Sequence, residues 1–384
     1  MLTLSGRVIK NSLLVGSSGP KLYSLSTNSN LPSVLRGKKA FLIKDSGYVP
    51  AGFDHYFHLE GVQVTLPAPE QTTWLGKEFS YFDNDDVVSL GNNRIRSIFR
   101  AGSEHNSILL TEQCNNYCLM CSQPPKKGDD SWLLKQAFEA IRLIPRKTNV
   151  LGFTGGEPTV YGQEFVNLIQ HTKNWLPYTS LHVLSNGRSF ANENFAYEYA
   201  RVNHPDSMVG IPIYSADPSI HDYVVQAEGA FDETVHGVLN LKKFRQKVEI
   251  RVVLHKQTYK GLAELATFIA RNLLFVDQVA LMGLEHTGFT RANIDSLWID
   301  PFEYREELSD AVRILSSYGI TSAVYNHPLC LVNPDVYPSY VKSISDWKNE
   351  FPSECEPCSR KSDCGGLFSS GIKNGYSHSI KPFR

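Results

Sequence analysis

From residue 106 onward the apolar positions fall into two alternating patterns. Short runs rich in aliphatic residues, at 107–111, 149–154, 180–184, 208–214, 248–255 and 276–282, read as strands. Between and after them lie stretches with helical spacing, at 131–144, 161–175, 193–202, 231–246, 262–272 and 301–318. Ser131 is placed to cap its helix and Pro145 to end it. Six β-then-α units follow. Strands joined by helical crossovers run parallel, with right-handed connections, so their functional loops share one edge of an open sheet or a partial barrel.

The two ends of the chain read differently. Residues 1–104 carry short alternating or apolar runs at 2–9, 39–43, 58–66, 86–90 and 95–99, broken by Gly, Pro, Ser and Asn. They predict a separate, mostly β domain. His55 and His58 lie there among Phe53, Tyr56 and Phe57, and packing or surface positions account for both. After residue 322 the pattern becomes irregular, with a helix-like stretch at 337–348 and a polar tail at 369–384, expected to be loose. The predicted domains are therefore 1–104, 105–322 and 323–384.

Composition narrows the function classes. A net charge of -1 with no long basic run argues against nucleic acid. No apolar run approaches the roughly 20 residues of a membrane helix. The start, Met1 to Arg7, lacks the features of a signal peptide, so a cytoplasmic location is expected. The seven cysteines fall into one group of three and one of four, which in a cytosolic chain points to metal binding rather than disulfides.

The group of three, Cys114-x3-Cys118-x2-Cys121, follows the first of the six strands. Thiolates at this spacing suit an iron–sulfur cluster with one iron left open; zinc and unliganded thiols are the alternatives. The second of these strands ends in Gly155-Gly156-Glu157-Pro158. Paired glycines allow close approach to the backbone, and Glu157 offers a carboxylate to a cation such as an ammonium group. The group of four is Cys330, Cys355, Cys358 and Cys364, a complete tetrahedral set for zinc or for a cluster.

The three-cysteine loop, the Gly-Gly-Glu-Pro turn and the six βα units together resemble the radical S-adenosylmethionine (SAM) enzymes over about residues 105–320. The resemblance implies an α/β fold, a partial (β/α)6 barrel, between the mostly β N-terminal domain and the cysteine-rich extension. It implies that Cys114, Cys118 and Cys121 hold a [4Fe–4S] cluster whose open iron binds SAM. One-electron cleavage then yields a 5′-deoxyadenosyl radical that abstracts hydrogen from the substrate. Gly155, Gly156 and Glu157 map to the segment that holds the methionyl ammonium. Ser185, Asn186 and Ser215 sit where such enzymes contact ribose and carboxylate, and Arg251 is placed to pair with the cofactor carboxylate. Met120 stands where the family usually has an aromatic residue. The group of four resembles the auxiliary-cluster extension of peptide-modifying members, implying a second [4Fe–4S] cluster.

Longer strings are more specific. Asp86-Val87-Val88 followed by Ile95-Arg96, Leu109-Leu110-Thr111-Glu112-Gln113-Cys114-Asn115-Asn116, Cys118-Leu119-Met120-Cys121-Ser122-Gln123-Pro124-Pro125, Arg251-Val252-Val253-Leu254-His255, Ala280-Leu281-Met282-Gly283-Leu284-Glu285 and Gly288-Phe289-Thr290-Arg291-Ala292-Asn293 resemble the His-Xaa-Ser system radical SAM maturases of the HxsC type. That resemblance implies a ribosomally made precursor peptide as substrate, with a second radical SAM maturase, a small partner protein and an electron donor as partners. The alternatives are a radical SAM enzyme acting on a small molecule such as a nucleotide, and a non-catalytic iron–sulfur or zinc scaffold. Glu285, His286 and His255 are polar strand-end residues, and no acid or base is assigned among them.

Overall fold

The structure, a computed structural model, describes residues 4–12, 19–342 and 349–384. Part of the strand expected at 2–9 and part of the helix expected at 337–348 lie outside the described residues. Contacts divide the chain into two units. One comprises residues 1–108, 131–151 and 171–179; the other comprises 109–130, 152–170 and 180–384.

The first unit holds β1 (Ser5–Arg7), β2 (Lys10–Asn11), β3 (Lys21–Ser26), β4 (Ala40–Ile43), β5 (His55–Leu59), β6 (Thr72–Leu75), β7 (Val87–Leu90) and β8 (Arg94–Phe99). They form one mixed sheet in the order β1-β8-β7-β3-β4-β5-β6-β2. Its core gathers Tyr23, Leu42, Phe57, Phe79, Phe82 and Ile95, each contributing about 1.5–3 kcal/mol by leaving water. His55 is fully buried beneath Tyr23, with Nε2 2.9 Å from Thr73 Oγ1, so its role is packing. The run expected at 58–66 is instead β5, displaced toward the N-terminus. The short helix α1 (Ser33–Arg36) follows β3, and α2 (Ser131–Leu143) also belongs to this unit. Gln136 of α2 explains why: its Nε2 donates to Ser89 Oγ at 2.9 Å, and its Oε1 accepts from Arg96. These bonds tie α2 to the first sheet.

The second sheet is the expected α/β architecture. Its strands are β9 (Ser107–Leu109), β10 (Val150–Thr154), β11 (Ser180–Leu184), β12 (Ser207–Pro212), β13 (Lys247–Leu254), β14 (Gln278–Gly283) and β15 (Ser322–Tyr325). They lie in the order β15-β14-β13-β12-β11-β10-β9, and β11 to β15 pair parallel in register. Both ends of the order are open, which is the partial barrel. The helices are α3 (Gln163–Trp175), α4 (Glu193–Arg201), α5 (Pro218–Val225), α6 (Ala230–Lys243), α7 (Leu262–Asn272), α8 (Phe289–Ala292), α9 (Ile294–Leu297), α10 (Arg305–Ser317) and α11 (Ser369–Asn374). The central strands β12, β13 and β14 run as mostly buried stretches, as parallel strands covered on both faces require.

Elements not expected include β3, β6, α1, α8 and α9, and two more bear on the barrel. β15 adds a seventh strand from the stretch assigned to the third domain. α5 precedes α6 in what reads as one long crossover; its signal is Asp217-Pro218, where Asp217 accepts the Ser219 N–H at 2.8 Å and Pro218 opens the first turn. The C-terminal tail also departs from expectation. It forms α11, Ser359 N–H donates to the Phe383 carbonyl at 2.9 Å, and Arg360 lies over the Phe383 ring. Among the described residues, no helix is long and apolar enough to cross a membrane.

Candidate active site

The cysteine loop leaves β9 under tight local control. Leu110 N–H still donates to the Thr154 carbonyl at 2.8 Å, beyond the end of the strand. Asp130 then gathers the next residues. Its carboxylate accepts from Thr111 Oγ1 at 3.0 and 3.1 Å, from Gln113 Nε2 at 3.1 Å, from Tyr161 Oη at 2.9 Å and from the Glu112 N–H. Burial pushes the Asp130 carboxyl up, but these hydrogen bonds outweigh it and hold it below the ordinary carboxylate range.

The Gly-Gly-Glu turn docks directly on this loop. Gly156 N–H donates to the Thr111 carbonyl and Glu157 N–H to the Gln113 carbonyl, both at 2.8 Å. A Cβ on Gly155 would come within 2.7 Å of Thr111 O, and one on Gly156 within 2.1 Å of Gln113 O and 3.0 Å of Cys114 Cβ. Neither glycine has positive φ. The closely approaching group that demands glycine is therefore the cysteine loop itself.

Glu157 is fully buried and its carboxylate is occupied. Oε1 accepts from Thr159 N at 3.0 Å, Thr159 Oγ1 at 2.6 Å and Ser185 Oγ at 2.8 Å, and Oε2 accepts from Asn186 N. Burial pushes its pKa up, and the four donors offset part of that rise. The carboxylate thus fastens the end of β11 to the turn after β10, rather than forming a wall of the cavity described next.

That cavity, of about 300 Å³, is open at the C-terminal edge of the sheet. Cys114, Cys118 and Cys121 line it, with Gly155 and Gly156 from the turn, Ser185 and Asn186 after β11, and Arg251 from β13. Ser215 is not one of its walls; its hydroxyl accepts the Asp217 N–H at 3.0 Å in the turn entering α5. Arg251 pairs with the buried Glu249 and places Nη2 3.1 Å from Met282 Sδ. Burial alone would raise the Glu249 pKa. His182 and Arg251 more than reverse this and keep it below the ordinary value.

Sequence reading missed Arg188 and Tyr214, which help build this edge around the expected Asn186 and Met120. Arg188 Nη1 donates to the Asn115 carbonyl at 2.8 Å and to Asn116 Oδ1 at 2.7 Å, while its Nε donates to Glu233 at 2.6 Å. Asn186 Nδ2 donates to Asn115 Oδ1 at 2.6 Å. On the far side, Tyr117 and Leu119 N–H groups donate to the Val225 and Val224 carbonyls, and Phe289 N–H donates to the Cys121 carbonyl. Met120 packs with Tyr214, Val224, Val225 and Leu297, so Tyr214 supplies an aromatic ring beside the loop. Arg188 directly follows the Ser-Asn-Gly turn and Tyr214 ends a strand run, so position relative to the edge was the available signal for both.

The thiols are ionised with difficulty on their own. Burial raises Cys114 to about 11 and Cys118 to about 12, with neighbouring negative groups adding to it, and burial also raises Cys121. Asn116 N–H points at Cys114 Sγ, 3.4 Å away. The second group, Cys330, Cys355, Cys358 and Cys364, lines another cavity with Phe351, Ile380 and Phe383. Leu329 and Gly366 N–H groups each donate to Cys364 Sγ at 3.3 Å. All seven thiols are free. Among the described residues, no group of three or more His, Cys, Asp or Glu is set at metal-holding geometry; each set of thiols is spread around a cavity wall.

His255 and His286 remain outside any assignment. His255 is fully buried with Nδ1 accepting the Gln257 N–H, and His286 lines a neighbouring cavity beside Trp298. Glu285 lines both that cavity and the cysteine cavity.

Residues 108–269 match the family model of the Radical SAM superfamily. No curated protein matches the chain. Among solved structures it is similar to Streptococcus suis SuiB, at 15% identity and a TM-score of 0.47, over 59% of this chain and 50% of that one. It is similar also to SuiB bound to S-adenosylmethionine, at 15% identity and a TM-score of 0.49, over 73% and 76% of the two chains. A third is native anSMEcpe with bound AdoMet, at 16% identity and a TM-score of 0.43, over 57% and 62%. The first similarity spans only half the length of SuiB.

The superfamily uses a [4Fe–4S] cluster and SAM. The residues present fit that pair. Three thiols of one loop face one cavity, and the two glycines seat that loop without intruding. Arg251 brings positive charge to the same wall. Residues 108–269 of this chain thus form a Radical SAM superfamily domain.

Proposed function

We propose that this chain is a radical SAM peptide maturase acting on a ribosomally made peptide of the His-Xaa-Ser repeat type. The observation that carries the enzymatic reading is the single cavity shared by Cys114, Cys118, Cys121, the Gly155-Gly156 backbone, Ser185, Asn186 and Arg251. In this reading the three cysteines hold the cluster, the glycine backbone faces the methionyl ammonium, and Arg251 meets the cofactor carboxylate. Ser185 and Asn186 face the ribose. When bound, cluster and cofactor together supply one-electron cleavage of the sulfonium and a 5′-deoxyadenosyl radical.

The chain's own residues prepare that site. Glu157 locks Ser185 and Asn186 to the glycine turn, and Asp130 and Arg188 hold the two halves of the cysteine loop. Met120 and Tyr214 shield one side of the loop from water. Cys330, Cys355, Cys358 and Cys364 hold a second [4Fe–4S] cluster in the same proposal. The peptide substrate is supported by the HxsC-type strings and by the neighbouring cavity, which shares Gly283, Leu284, Glu285 and Asn326 with the cysteine cavity and extends the room available. A second maturase, a small partner protein and an electron donor complete the system.

The test is metal content and turnover. Anaerobically reconstituted protein should hold about eight irons per chain, and a Cys114/Cys118/Cys121 triple alanine variant about four. Addition of SAM should change the EPR spectrum of the reduced wild type only. Zinc with little iron, and no response to SAM, would make the chain a scaffold. Cleavage of SAM stimulated by a nucleotide but not by a His-x-Ser peptide would make it a small-molecule enzyme.

A further inference from the structure

The last strand of the barrel sheet, β15, ends at Tyr325, and the next residue turns into the left-handed region: Asn326 has φ +61°. A residue with a Cβ is held there at a cost of about 1–3 kcal/mol, and such positions concentrate at functional sites. Asn tolerates the left-handed region better than most residues because its side chain can bond locally to the backbone. Here that reason is missing, since the Asn326 carboxamide makes no hydrogen bond to any described residue.

The backbone is held from both sides. Met282 pairs with Tyr325 in register, which brings Gly283 opposite Asn326. A Cβ on Gly283 would lie 2.4 Å from the Asn326 carbonyl oxygen. On the other side His327 is fully buried, with Nε2 2.9 Å from Tyr304 Oη and Nδ1 2.7 Å from the Tyr325 carbonyl. Asn326 is therefore fixed in place, half-buried, with its own polar group unspent.

Its position gives that group a use. Four residues line both the cysteine cavity and the neighbouring one: Gly283, Leu284, Glu285 and Asn326. Gly283 has no side chain, Leu284 is apolar, and Glu285 is already engaged within the protein. Of these four, only Asn326 carries a donor and an acceptor side by side that make no hydrogen bond to a described residue, the complement of a peptide bond. We infer that Asn326 binds the substrate, hydrogen bonding an amide of a peptide chain where it passes from one cavity to the other. The inference rests on the peptide reading given above.

The test compares wild type with Asn326→Gly and Asn326→Ala, each as the full chain reconstituted anaerobically. Peptide affinity is read by anisotropy of a labelled His-x-Ser peptide, and SAM affinity by equilibrium dialysis. Asn326→Gly keeps the left-handed turn and removes only the carboxamide. It should weaken peptide binding about tenfold, with SAM affinity, iron content and melting temperature unchanged or, for melting, raised. Asn326→Ala should lose the same peptide affinity and also some stability. Wild-type peptide affinity in Asn326→Gly would overturn the assignment alone. So would an equal loss of SAM affinity, which would make Asn326 a cofactor contact. A wild-type protein that binds no peptide, or binds a nucleotide instead, would overturn the peptide reading and this assignment with it.

Discussion

Glu157 shows how much one buried carboxylate organises. Its two oxygens take four donors from three residues, and no neighbouring cation neutralises it among the bonds it makes. Glu157→Gln keeps the shape, yet its NH2 must face either the Asn186 N–H or the three donors at the other oxygen. The expected loss is about 2 kcal/mol or more by denaturant unfolding, together with weaker SAM binding. A variant as stable as wild type would mean that Glu157 is already protonated and donating. Gly156 makes the complementary case of a residue defined by what it lacks. Gly156→Ala should push the cysteine loop off its seat and cut iron uptake to about half, measured per chain after reconstitution. Gly261→Ala, where a Cβ meets nothing within 4 Å, should keep full iron.

At the scale of elements, the cysteine loop is an irregular segment held by neighbours on three sides. Asp130 fixes its start, Arg188 its middle, and the carbonyls at the end of α5 together with the backbone of α8 its remainder. A loop held this way loses order when one anchor goes, because it has no ladder of its own to fall back on. Arg188→Gln should leave folding near wild type, since Arg188 is an edge residue, but release the cluster several-fold faster to a chelator, followed by visible absorbance. Unchanged release would show that Asp130 and α5 suffice. The C-terminal tail works at the same scale: Ile380 and Phe383 help line the second cysteine cavity, so truncation after α11 should reduce iron at that site alone.

For the whole molecule, buried histidines set the acid side of stability. Burial pushes His55, His221, His255 and His327 down to about 4, from an ordinary value near 6.5. Between those values the unfolded chain binds more protons than the folded one. Stability is therefore fully present above about pH 6.5 and is lost as pH falls toward 4, by up to about 1.4 kcal/mol per pH unit for each histidine. Asp86 acts oppositely: burial raises it to about 6, so its contribution declines as pH rises from the ordinary carboxylate value to 6. With His58, His171 and His286 also lowered by burial, seven histidines stand against two raised carboxylates, Asp86 and Glu157, which predicts a melting temperature that falls steadily from pH 7 to pH 5. A flat profile over that range would mean that those rings are hydrated in solution.

The hydrophobic pattern and the motif spacing by themselves determined the βα order, the parallel sheet, the two cysteine groups and the glycine turn. Each of these is local: period, cap and spacing lie within a few residues along the chain. Tertiary structure alone decided where α2 belongs, because Gln136 finds its partner at Ser89, 47 positions away. It also decided that Glu157 turns into the protein and that Arg188 reaches back to Asn115 and Asn116. Hydrogen-bond partners in a folded edge are chosen by which strand ends lie side by side, and that adjacency exists only once the crossovers have closed. Asn326 is the plainest instance: nothing in its sequence neighbourhood marks it, and its place between two cavities follows only from the pairing of β14 with β15.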